Sequence, residues 1–104
     1  RLLVSYSIDS QYSNSFFLRE EVNDGYYVSG VKTPVAKDGY TFVGWHIAVV
    51  DDNGTITGIG EIFDLANDTV DSELCNSTGT AIGSTYKMLQ LVAVFEDAEG
   101  NEVW

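Results

Sequence analysis

Apolar and polar residues alternate with a period of two near both ends of the chain. Leu2, Val4, Tyr6 and Ile8 share one parity, and Leu3, Ser5, Ser7 and Asp9 share the other. Successive strand side chains point to opposite faces, so this predicts a first strand. Toward the other end, Leu89, Leu91, Ala93 and Phe95 alternate with Gln90, Val92, Val94 and Glu96. That stretch is apolar on both parities, which predicts a central strand covered on both faces. Phe16 to Val22 predicts a second strand, with Phe16, Leu18 and Val22 on one face and Arg19 and Glu21 on the other. Asn23-Asp24-Gly25 follows as a tight-turn signal, because the glycine supplies positive φ. Tyr26-Tyr27-Val28 predicts a short strand or an ordered crossing. Gly30 to Gly39 predicts an extended connector in which Pro34 keeps Thr33 out of a helix.

The middle of the chain is organised around Asp38 to Ile47, Asp-Gly-Tyr-Thr-Phe-Val-Gly-Trp-His-Ile. Tyr40, Phe42, Gly44 and His46 lie on one parity, and Thr41, Val43, Trp45 and Ile47 on the other, so a strand here has apolar residues on both faces. A regular strand sends Phe42 and Trp45 to opposite faces, whereas a bulge at Gly44 brings both rings to one side. Parity alone leaves both open. Ala48-Val49-Val50 continues the strand, Asp51-Asp52-Asn53-Gly54 is a strong hairpin turn, and Thr55 to Phe63 returns as a strand that Gly58 and Gly60 make irregular or bulged. In Asp64 to Ser84 the signals are few. Asn67-Asp68-Thr69 predicts the start of a short helix through Leu74, and Asn76 to Thr85 reads as loop. The whole predicts a mostly β (small α+β) single domain over residues 1–96, of five to six strands and at most one short helix. Residues 97–104 read as an acidic turn, tail or linker to a following domain.

Charge narrows the partners. The 104 residues carry 16 acidic and 5 basic side chains, a net charge of -11. This opposes nucleic acid, which needs a basic footprint, and docking on anionic lipid. Like-charge repulsion favours a monomer. No apolar run approaches the roughly 20 residues of a membrane span, so no membrane insertion is expected. The single cysteine, Cys75, excludes an internal disulfide and reads as a buried thiol. The chain opens at Arg1 and closes at Trp104, which reads as a piece of something longer.

Val22, Gly25, Val31-Lys32-Thr33-Pro34 and Asp38-Gly39-Tyr40-Thr41-Phe42-Val43-Gly44-Trp45 together resemble the core of the Listeria–Bacteroides repeat, the internalin-type B repeat. Phe63-Asp64-Leu65 is similar to that family's fourth element, and Leu91-Val92-Ala93-Val94-Phe95 to its last. The segments between Trp45 and Phe63, and between Leu65 and Leu91, are longer than the family pattern. The resemblance implies a β-grasp-like domain of bacterial surface proteins, extracellular and attached to the cell surface or wall. Pro34, Gly39, Tyr40, Phe42, Gly44, Trp45 and Phe95 would be its structural motif, and neighbouring domains of the same chain its first partners.

No catalytic constellation is legible. His46 and Cys75 are singletons, no serine sits in a Gly-x-Ser-x-Gly elbow, and Gly58-Ile59-Gly60 is too short and apolar for a phosphate loop. Asp51-Asp52-Asn53 and Asp97, Glu99, Asn101 lack the full spacing of a calcium loop. No enzyme activity, cofactor or metal is therefore expected. Three Asn-x-Thr sequons begin at Asn53, Asn67 and Asn76 and read as polar loop residues. Tyr26, Tyr27, Tyr40, Trp45 and Trp104 form either an aromatic platform or core. Phe42 and Trp45 are assigned to core, and the outward ring of Tyr26 or Tyr27 is the best candidate for a ligand contact. The expectation is a non-catalytic surface module, a stalk or spacer or an adhesive repeat for a host or matrix protein or glycan. The alternative is a carbohydrate-binding accessory domain of a secreted enzyme.

Overall fold

The computed structural model describes residues 1–104, in which seven strands make one mixed sheet. They are β1 (Leu2–Ser7), β2 (Glu20–Val22), β3 (Thr41–Val50), β4 (Ile56–Ile62), β5 (Ser77–Ala81), β6 (Ser84–Glu96) and β7 (Glu102–Val103). The order across the sheet is β2-β1-β6-β3-β4. β1 runs parallel to β6, and every other pairing is antiparallel. β6 is central for the reason its sequence gives. Leu89, Leu91, Ala93 and Phe95 are buried in the main core, while Met88, Val92 and Val94 are buried on the opposite face. Each fully buried side chain of this kind contributes about 1.5–3 kcal/mol relative to exposure.

The main core is closed by extended chain, with no α-helix in the fold. The segments between β1 and β3 cross that face and contribute Val28 and Pro34, with Tyr12, Phe17 and Ala36 packed behind them. Phe63, Leu65 and Val70 enter from the crossing between β4 and β5. Two isolated bridges hold the layer, Ser13 with Ala36 and Tyr26 with Val70. Ser13 is buried, and its hydroxyl accepts from Ser15 N at 3.0 Å, so its burial leaves no stranded polar atom.

Gly44 settles the choice that parity left open. The register of β3 against β6 shifts between Phe42 and Gly44, and φ of Gly44 is +155°. The bulge places the Phe42 and Trp45 rings on one side, 5.8 Å apart and edge to face. A Cβ at Gly44 would lie 3.2 Å from Ile62 Cδ1, so both conformation and space favour glycine.

Several expectations are corrected. The strand over Phe16 to Val22 is confined to Glu20–Val22. Phe16 and Leu18 stand 78% and 75% exposed, and the intervening Phe17 packs on Tyr6 and Trp45 instead. Asn23-Asp24-Gly25 turns the chain without forming a hairpin, since Tyr26 bridges Val70. The helix from Asn67 is absent. The Asp64 carboxylate accepts from Ala66 N and the Asn67 amide, a local turn that competes with helix, and only Ser72–Leu74 make a single 3-10 turn. Ser77 to Ala81, read as loop, is β5. The strands number seven, not five to six. Of the readings of residues 97–104, the turn is the one seen, at Asp97–Gly100. Asp97 caps a turn by accepting from Glu99 N and Asn101 N, and β7 then pairs with Phe95 and Glu96.

Candidate functional site

The aromatic block of β3 sits at the junction of sheet and cover. Trp45 is 3% exposed, and its ring meets Tyr6 at 5.2 Å, Phe42 at 5.8 Å and Phe17 at 6.1 Å. Phe42 also meets Phe95 at 5.6 Å, and Tyr12 bridges Phe95 to Tyr40. β1, β3, β6 and the segment between β1 and β2 thus share one aromatic cluster, with Tyr40 joining just ahead of β3. The indole N–H of Trp45 donates to Lys32 O at 2.8 Å, which ties the connector down just ahead of the buried Pro34.

A polar network stands over this cluster. Tyr6 OH donates to Glu20 Oε1 at 2.5 Å, and Lys32 Nζ lies 3.0 Å from the same oxygen and 5.0 Å from the Tyr6 ring centroid. Ser29 N donates to Glu20 Oε2 at 3.0 Å. Burial pushes the Glu20 carboxyl up, but the bonds from Tyr6, Lys32 and Ser29 outweigh it and leave the group below its ordinary value. Burial first, and then the Glu20 carboxylate, push the Tyr6 phenol well above its ordinary value. Lys32 Nζ also donates to Gly30 O at 3.0 Å and Ser29 Oγ at 3.3 Å. The chemistry of the network is to fasten β2 and the connector to β1. The sequence carried no short-range sign of it, because Tyr6, Glu20 and Lys32 meet only in the folded chain.

The other candidate residues are dispersed. Tyr26 and Tyr27 are both outward, 64% and 56% exposed, because a single bridge rather than a strand holds them. His46 is half-buried on β3 with Nδ1 2.8 Å from Gly60 O. Cys75 lies in the chain after the 3-10 turn, where burial raises its thiol above the ordinary value and favours the unreactive form. Asp51 accepts from Asn53 N and Thr55 N at 2.9 Å, so its carboxylate serves the β3–β4 turn. Asn76 uses its side-chain amide internally, whereas Asn53 and Asn67 are exposed.

Two depressions flank the end of β4, and the sequence pattern gave no sign of either. One, of about 320 Å³, is apolar and is floored by Phe42, Trp45, Phe63 and Leu65 between the lips Val31 and Ile62. The other shares Ile62 and Phe63 with it and carries Glu61, Asp68 and Asp71. Asp64 lines the first, and the bonds from the Asn67 side chain and the Ala66 backbone hold its carboxyl below the usual range. Together they place an apolar seat beside a group of carboxylates. No protein-family model, curated protein or solved structure matches this chain.

Proposed function

We propose that this domain is a non-catalytic extracellular module of a bacterial cell-surface protein, a stalk or adhesive repeat of β-grasp-like architecture. The observation that carries the reading is the Gly-Tyr-Thr-Phe-Val-Gly-Trp block. Its Thr41–Trp45 part opens one long strand, and the bulge puts Trp45 in the core with Phe42 packed against it. The strand order β2-β1-β6-β3-β4, with β1 parallel to the last long strand, supports the β-grasp half. On this reading the cover made of extended chain stands in for that fold's helix. The tethered His46 ring and the raised Cys75 thiol support a binding or spacing role over a catalytic one.

Antibody raised against the domain should label intact source cells without permeabilisation. Labelling confined to permeabilised cells would overturn the surface assignment. Repulsion between copies of charge -11 supports a monomer, which sedimentation in physiological salt reads directly. The exposed rings of Tyr26 and Tyr27 favour the second reading, a carbohydrate-binding accessory domain of a secreted enzyme. A glycan array positive for the wild type and negative for Tyr26→Ala and Tyr27→Ala would select it.

A further inference from the structure

β3 is paired on one side along its first half and bare on the other. β6 runs beside Thr41 to Ile47, whereas β4 meets β3 only from His46 onward, and the last rung is Phe63 N donating to Trp45 O at 2.9 Å. Beyond that rung no strand or side chain bonds the β4 side of Thr41–Gly44. The Gly44 bulge and the short length of this edge are its only protections. It contains no proline and no charged residue, and Val43 is 38% exposed on it.

The bare edge borders the apolar groove over Phe42 and Trp45, whose lips Val31 and Ile62 stand 65% and 63% exposed. The adjoining depression gathers Glu61, Asp68 and Asp71, with Asp64 between. Lys32, the cation of the groove, is already engaged by Glu20 at 3.0 Å and Gly30 O at 3.0 Å. The surface is therefore an open strand edge, an apolar seat and an anionic end, in that order.

We propose that it binds an extended peptide segment of a partner protein, alternating apolar and polar, with lysine or arginine at one end. The segment adds to β3 as a strand over Thr41–Gly44 and sets one apolar side chain in the groove. Its cationic end lies over Glu61, Asp64 and Asp68. Strand addition draws affinity from main-chain hydrogen bonds and specificity from the pockets that receive alternate side chains. A second copy of this chain is disfavoured as the occupant by its own charge of -11. The inference rests on the binding-module reading and names the class of partner for it.

The test is a titration of isotope-labelled domain with a short synthetic peptide of alternating valine and threonine bearing lysines at one end. Amide shifts should concentrate at Thr41–Trp45 and Ile62–Leu65. Replacing the peptide lysines with glutamate should weaken binding about tenfold at low salt, with the gap closing as salt is added. Ile62→Lys, at an exposed lip, should weaken the lysine peptide about tenfold, and Val49→Lys, at a comparably exposed position elsewhere on β3, should leave it unchanged. Shifts centred on β2 or Phe16–Arg19, no shift at peptide concentrations up to about 1 mM, or equal binding of the glutamate peptide would each overturn the proposal. So would concentration-dependent self-association through this edge, which would make a second copy the occupant. Cell labelling reads the location of the protein whatever the peptide does, so the two failures are distinguishable.

Discussion

The side-chain amide of Asn76 pairs with the backbone of Gln90 as another strand would. Its Oδ1 accepts from Gln90 N at 2.9 Å, and its Nδ2 donates to Gln90 O at 3.3 Å and to Ala48 O at 2.7 Å. The pair sits where β6 passes from β5 to β3, so one side chain fills the gap between two strands that share a partner. Gln90 completes the joint by donating to Gly54 O at 2.8 Å and Ser77 Oγ at 3.0 Å.

Asn76→Ala removes those bonds and takes a partner from the Gln90 N–H and from the Gln90 and Ala48 carbonyls in a half-buried place. The expected cost is about 2–3 kcal/mol. Hydrogen exchange should show the Gln90 amide losing protection. An unchanged melting temperature with a protected Gln90 amide would mean that the joint contributes nothing.

Ile82 is strained. It is the non-glycine residue with positive φ, at 49°, in the two-residue turn with Gly83 at 75° that links β5 to β6. It is 97% exposed, so its side chain gains no burial. A β-branched residue fits such a turn poorly, whereas Asn-Gly is its preferred sequence. Ile82→Asn should stabilise the domain by about 1 kcal/mol, raising the melting temperature by roughly 4–8 °C. A fall in melting temperature would refute the strain argument.

Trp45→Ala opens a cavity beneath Tyr6, Phe17 and Phe42 and releases Lys32 O. The expected cost is about 3–5 kcal/mol, a large share of a stability of roughly 5–15 kcal/mol. Trp45→Phe should fall between wild type and alanine, since it keeps a ring and loses the indole donor. A thermal melt that leaves the alanine variant at the wild-type value would remove Trp45 from the core account.

Stability should fall at both pH extremes, with Glu20 and Tyr6 contributing to the two limbs. Glu20 is depressed below its ordinary 4.5, so its contribution is present above that value and lost as pH falls through the folded one. Tyr6 is raised above its ordinary 10.0, so its contribution is intact below 10.0 and lost as pH rises beyond it. The melting-temperature gap between wild type and Glu20→Gln should therefore be widest near neutrality and shrink in acid. The gap to Tyr6→Phe should shrink in alkali. Gaps that stay constant with pH would show that neither shift is coupled to folding.

The parts of the fold legible in the sequence are those where one residue's parity suffices. Leu2 to Ser7 and Leu89 to Phe95 alternate because each faces a core, and the place of Gly44 between Phe42 and Trp45 already offered the bulge. The unreadable parts depend on long-range partners. β5 is Ser-Thr-Gly-Thr-Ala, and its strand character comes from its bonds to β6 rather than from its side chains. Phe16 and Leu18 share a parity and invite a buried face, yet Phe17 is the residue that Tyr6 and Trp45 receive. The candidate site was legible only in its floor, Phe42 and Trp45. The lips and the carboxylates come from the connector, the end of β4 and the crossing after it.

The parallel pairing of β1 with β6 has a mechanical consequence. Tension entering at Leu2 and leaving beyond Glu96 pulls two neighbouring strands lengthwise in opposite directions. The five rungs from Leu3–Met88 to Ser7–Val92, spaced about 3.3 Å apart along the strands, would then be loaded together and not one after another. The two-residue β7 peels away first and leaves this clamp intact. Pulled from Leu2 and Glu96, the domain resists in shear.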